Sequence, residues 1–177
     1  MAPELRLRPD PGSLAALARR FGPVDGDAAI ERELVPAARR QGFLDKPQFL
    51  RLCEWKSPRI RPRCAANDAL AIEEATRFAL TTASEPLRIG ALTLLDGVAY
   101  PVASTILHWV HVDPYPILDR RALWSVGIDR PPGDGSYTFA LWRDYTAFCR
   151  RLAGEVGLTM RDLDRALWQF AYESQSG

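Results

Sequence analysis

The stretch Leu95-Asp-Gly-Val-Ala-Tyr-Pro-Val-Ala-Ser-Thr-Ile-Leu107 carries the reading that decides the fold. Gly97 permits a tight turn because it has no side chain. Pro101 suits the first turn of a helix, where its missing N–H is not needed. Beyond it, Val102, Ala103, Ile106, Leu107 and Val110 make an apolar stripe at helical spacing. A helix over about 86–95 precedes the turn, so the pattern is helix, tight turn, helix. Asp113-Pro-Tyr-Pro116 ends the second helix. In Pro116-Ile-Leu-Asp-Arg-Arg-Ala-Leu-Trp-Ser-Val-Gly127, Asp119 opens a short helix that Gly127 closes.

Outward from this centre, almost every segment has helical rather than strand periodicity. Ser13 caps a short helix ending near Gly22. A second begins at Asp25, acidic in its first turn and basic at its end (Arg39, Arg40), as the helix dipole favours, and stops at Gly42. Asp45-Lys-Pro47 is a cap followed by an early proline. The break Lys56-Ser-Pro-Arg-Ile-Arg-Pro-Arg63 holds four cations and no acid, and Asn67-Asp68 restarts a helix. Arg130-Pro-Pro-Gly-Asp-Gly135 is the longest loop signal. Two amphipathic helices finish the chain. Trp142, Tyr145, Phe148, Cys149 and Leu152 form the stripe of the first. Thr159-Met-Arg-Asp162 resembles a capping box for the second. Trp124, Trp142, Tyr145, Phe148, Trp168 and Phe170 read as core. The expectation is an all-α chain of eight or nine helices.

Composition bounds the function. With 177 residues, 47% hydrophobic and a net charge of +1, the chain is neither disordered nor a protein that coats nucleic acid by charge alone. No run approaches the roughly 20 apolar residues of a membrane span, and the start has no signal-peptide core. Three cysteines, Cys53, Cys64 and Cys149, are too few for an iron–sulfur cluster, and the two histidines lie outside zinc spacing, so no metal and no cofactor is expected. Free thiols without an export signal point to the cytoplasm, with nucleoid association if the source is bacterial.

The central stretch resembles the helix-hairpin-helix DNA glycosylase superfamily, which includes endonuclease III and the alkyladenine glycosylases. That family shows Leu-x-Gly-Val-Gly, two residues, a small pair and an apolar helix. An Asp follows at a nearly fixed interval. Leu95, Gly97, Val98 and Ala103 fit this pattern, and Asp119 follows Gly97 by 22 residues, the interval of endonuclease III. The sequence match covers about 95–127, and the helix map extends it over most of the chain. The resemblance implies one compact all-helical unit over 1–177 made of two helical lobes with a cleft between them. The N- and C-terminal helices form one lobe, about 45–118 the other, and the hairpin lies at about 95–107. It implies a monomer that binds double-stranded DNA through backbone amides at Gly97, Val98, Ala99 and Tyr100. A base is flipped out and its glycosidic bond hydrolysed with Asp119, which stabilises the oxocarbenium-like sugar and helps activate water.

Two positions depart from the family. Ala99 replaces the second hairpin glycine, which is costly if that position needs positive φ. Pro101 occupies the position of the lyase lysine and carries no amine, so an enzyme built this way is monofunctional. Trp55 and Lys56 are candidates for the base pocket, one stacking on the base and the other bonding its edge or a phosphate. Equally, Trp55 is core and Lys56 a solvated cation, or Lys56 pairs with Asp119 and fills a degenerate pocket. Arg59, Arg61, Arg63 and Arg120 are phosphate contacts or solvated cations. Asp119 is also a good N-cap. The alternative function is a non-catalytic DNA-binding or scaffolding module.

Overall fold

The computed structural model describes residues 4–130 and 137–175. The loop signal at 130–135 therefore lies, after Arg130, outside the described residues. Among those residues every regular element is helical. They are α1 (Leu14–Arg20), α2 (Asp27–Ala29), α3 (Val35–Gln41), α4 (Lys46–Lys56), α5 (Arg61–Ala65), α6 (Ala69–Thr81), α7 (Glu85–Thr93), α8 (Tyr100–Val110), α9 (Arg120–Ser125), α10 (Phe139–Val156) and α11 (Met160–Gln175).

The count exceeds the eight or nine expected, for two local reasons. The run opening near Asp25 is divided by a π turn over Ile30–Leu34, just ahead of Pro36. A wider turn there relieves the clash of a proline ring with the carbonyl four residues back. The segment read as a break at 56–63 is itself largely helical. A 3-10 turn at Pro58–Ile60 leads into α5, and Pro58 and Pro62 sit in the first turns, where proline is tolerated.

The chain divides into two units, Val24–Asp113 and Met1–Pro23 together with Pro114–Gly177. In the first, α8 is the centre. Eight of its residues are buried, and α3, α4 and α7 pack on it. A helix apolar nearly all round belongs inside a core. Its two buried hydroxyls, Ser104 and Thr105, both donate to the Pro101 carbonyl at 2.9 and 2.8 Å, so they cost little there. Phe49, Leu52, Ile72, Ile89 and Leu92 complete this core. Asp45 starts α4 with a full capping box, accepting from Gln48 N while Gln48 Oε1 accepts from Asp45 N.

In the second unit α11 packs against α1, α9 and α10. The extended segment before α1 is fixed by Arg6 and Arg8 N–H groups donating to the Val126 and Ser125 carbonyls, both at 2.9 Å. Trp142 and Tyr145 are core as expected, but Trp124, Phe148, Trp168 and Phe170 are only half-buried. Tyr115, singled out by no sequence pattern, is fully buried and stacks on Trp142 at 5.7 Å. At the start of α11 the Thr159 hydroxyl accepts from Asp162 N and donates to the Asp162 carboxylate. No helix among the described residues is long and apolar enough to cross a membrane.

Candidate functional site

The hairpin between α7 and α8 is a turn closed by Val98 N donating to the Leu95 carbonyl at 3.0 Å. Gly97 has φ +81°, a conformation that side chains resist. A Cβ at Gly97 would stand 2.7 Å from Cys64 Sγ and 3.0 Å from Cys64 N. Glycine is thus required twice, by the backbone angle and by the approach of α5. Leu95 and Val98 are buried and anchor the turn, while Asp96 and Ala99 are exposed. Ala99 is extended, φ −95° and ψ 176°, so the cost expected from losing the second glycine does not arise. It contributes no side-chain cap to α8, whose N-terminus follows directly. Tyr100 is half-buried, and that burial raises its phenol above the ordinary range.

One residue missed in the sequence holds this turn in place. Asn67 is buried, and its Nδ2 donates to the Asp96 and Cys64 carbonyls, each at 2.9 Å. Its Oδ1 accepts from Asp96 N at 2.8 Å, and its own carbonyl accepts from Lys46 Nζ at 2.8 Å. The amide thus satisfies both backbone polar groups of Asp96 and ties them to the end of α5. Asn67-Asp68 reads as a helix restart, and Asp68 indeed caps α6; the clamp role of Asn67 has no local signature.

The cationic segment lies beside the hairpin. Arg63 Cβ would be 3.2 Å from a Cβ at Gly97, and Arg59, Arg61 and Arg63 are all exposed. An acid from α4 does reach it, since Glu54 Oε2 lies 3.7 Å from Arg61 Nε. Trp55 is half-buried and closely held. Its Nε1 donates to the buried Asp27 carboxylate at 2.8 Å, and its ring meets Trp109 edge to face at 5.3 Å. Asp27 and Trp109 are partners that sequence spacing could not reveal, being 28 and 54 positions away in the chain. Lys56 ends α4 and is half-buried.

Asp119 and Arg120 belong to the other unit. Asp119 has extended backbone, φ −127° and ψ 144°, and caps α9 by accepting from Arg121 N at 2.9 Å. It is half-buried, and its charge helps to hold the phenol of the fully buried Tyr145 far above its usual range, burial being the main cause. The Tyr145 hydroxyl donates to the Ile117 carbonyl at 3.4 Å, two residues ahead of Asp119. Arg120 is exposed. Arg121 instead lies over Trp168 at 4.4 Å and Tyr172 at 5.2 Å, a stacked aromatic pair on α11.

Among the described residues no group of three His, Cys, Asp or Glu side chains is arranged to hold a metal ion. Comparison of the chain with protein-family models, curated proteins and solved structures finds no match.

Proposed function

We propose that this chain is a helix-hairpin-helix DNA glycosylase-like protein that grips the backbone of duplex DNA and hydrolyses the N-glycosidic bond of a modified base. The observation that carries the reading is the hairpin itself. Its Gly97 turn has positive φ, it leads into an α8 N-terminus without a side-chain cap, and α5, which carries the exposed Arg61 and Arg63, brings Arg63 next to it. With Val98 N given to the Leu95 carbonyl and Val102 and Ala103 N to the Ala99 carbonyl, the Ala99 and Tyr100 amides ahead of α8 are the ones to meet a phosphate oxygen, and the two guanidinium groups suit its neighbours on the strand. Contacts of this kind position a protein on DNA without reading its sequence.

In the reaction, the carboxylate of Asp119 stabilises positive charge on the sugar as the C1′–N bond breaks. The bonding electron pair leaves with the base; water then adds at C1′, giving one proton to Asp119, which passes it to the base, and an abasic site is left. Pro101 offers no amine for a Schiff base at the hairpin, so the strand is left uncut. The alternative, a DNA-binding module without catalysis, is favoured by two contacts: the Asp119 carboxylate already serves as the cap of α9, and the Trp55 ring is held by Asp27 and Trp109.

A panel of duplexes carrying deaminated, alkylated and oxidised bases, treated with protein and then alkali, separates the two. The enzyme reading expects abasic sites with wild type and at least about a hundredfold fewer with Asp119→Asn, the low end for removing such a group. Survival of every lesion with both proteins, alongside intact DNA binding, leaves the module.

A further inference from the structure

The extended N-terminal segment and the last turn of α9 border a cavity that the hairpin and Asp119 do not line. It belongs wholly to the unit of Met1–Pro23 and Pro114–Gly177, and its volume is about 700 Å³. That size lies within the roughly 300–1,000 Å³ of small-molecule sites. Its lining includes Glu4, Arg6 and Arg8 from the segment, Trp124 and Gly127 from the end of α9, and Phe170 from α11. The backbone fixes these walls. Arg6 and Arg8 N–H groups donate to the Val126 and Ser125 carbonyls. Gly127 has φ +97°, and a Cβ there would stand 3.1 Å from the Arg6 carbonyl oxygen, so the segment passes this closely only over a glycine.

We propose that this cavity is a nucleotide-binding site, in which the base stacks on Trp124 and the phosphate is held by Arg6 and Arg8. The inference is independent of the glycosylase reading. Residues 4, 6 and 8 of an extended segment share one face, which is why all three line the cavity. Arg6 and Arg8 are about 7 Å apart along the chain, near enough for two long side chains to converge on one phosphate. Both are exposed, and Arg6 makes no ion pair among the described residues.

The Trp124 ring stacks against Phe170 at 5.9 Å, and the Arg8 guanidinium lies over it at 4.3 Å while pairing with Asp129. The Asp129 side chain is 79% exposed, and an ion pair or a cation–π contact in water is weak. A base stacks on an indole more strongly. It therefore displaces Arg8 from the ring, and Arg8 turns to the phosphate beside Arg6, where charge-assisted hydrogen bonds replace the exposed pair. Inorganic phosphate alone would leave the aromatic wall unused. Two cations and one acid on the segment suit a monophosphate better than a polyphosphate, and the Glu4 carboxylate accepts from a base amino group or a sugar hydroxyl.

Calorimetric titration of the full chain with deoxyadenosine 5′-monophosphate tests this. One nucleotide per chain is expected to bind. Deoxyadenosine and inorganic phosphate, each lacking part of the contacts, should bind at least about tenfold more weakly. Arg6→Gln and Trp124→Ala are each expected to weaken the nucleotide about tenfold, whereas Arg19→Gln, on α1 of the same unit, leaves it unchanged. A 5′-phosphorylated single-stranded oligonucleotide distinguishes the two sources of this chemistry. If it binds more tightly than the mononucleotide and still depends on Arg6, the ligand is a strand end; otherwise it is a free nucleotide. Absence of binding by both, inorganic phosphate binding as tightly as the nucleotide, or wild-type affinity in Arg6→Gln would overturn the proposal. Arg6 is exposed, so that variant decides even where Trp124→Ala fails to fold.

Discussion

Asn67 does at residue scale what a longer turn would otherwise need several groups to do. Its amide gives both donors and its acceptor to fixed backbone partners, two of them on Asp96. Replacing it by Ala removes the partner of the Cys64 carbonyl in a buried contact and of two part-buried backbone groups of Asp96. Each unsatisfied buried polar group costs about 1–3 kcal/mol, so Asn67→Ala is expected to lose about 3 kcal/mol in urea unfolding. A loss under about 1 kcal/mol would mean that water replaces the clamp. Arg88 and His111 form a second buried node. Arg88 donates to the Ala79 and Thr82 carbonyls and meets His111 Nε2 at 2.6 Å, with Glu85 and Asp113 as the nearby acids. Burial first, and the Arg88 charge second, hold the His111 imidazole below its ordinary range. The folded chain therefore binds this proton less readily than the unfolded one. The His111 contribution to stability is complete above about pH 6.5 and declines as pH falls from there towards the lower folded value. Melting temperatures between about pH 5 and 8 should fall on the acid side, and His111→Gln should flatten that part of the curve.

At the scale of elements, the hairpin and α5 behave as one piece. Gly97→Ala must accept positive φ, worth about 1–2 kcal/mol, and must also displace Cys64 Sγ from 2.7 Å. Denaturant unfolding is expected to show a loss of about 2–4 kcal/mol once this overpacking is included. Ala99→Gly, by contrast, changes a residue that already has negative φ and should leave stability within about 1 kcal/mol. Much of this piece was legible in the sequence. Gly97, Pro101 and the Val102–Val110 stripe announce the turn and α8 through local rules of conformation and periodicity. Capping residues Asp45, Asp68 and Asp119 mark their helices for the same reason. The π turn before Pro36 and the helicity of 58–65 were not legible, because proline signals both a break and a first turn. The Asn67 clamp and the Trp55–Asp27–Trp109 group were also invisible. They depend on partners brought together by packing, which no spacing along the chain encodes.

For the whole molecule, a net charge of +1 first argues against a nucleic-acid partner. The distribution changes that reading. Arg59, Arg61 and Arg63 are exposed within one short stretch, and that stretch lies against the hairpin. A few contacts in one place need no global excess of cations. Several other arginines are engaged within the fold: Arg8 is paired with Asp129 over Trp124, Arg20 with Glu173, and Arg39 with the carbonyls of Val110 and His111. The Arg20 contact, seconded by the Gln169 amide, lowers the Glu173 carboxyl to about 2. Amide hydrogen exchange over the whole chain, with and without a saturating short duplex at low salt, tests the central claim most directly. The account predicts slowed exchange in peptides spanning 97–103 and 59–65. Unchanged exchange in both, or protection confined to other segments, would contradict it.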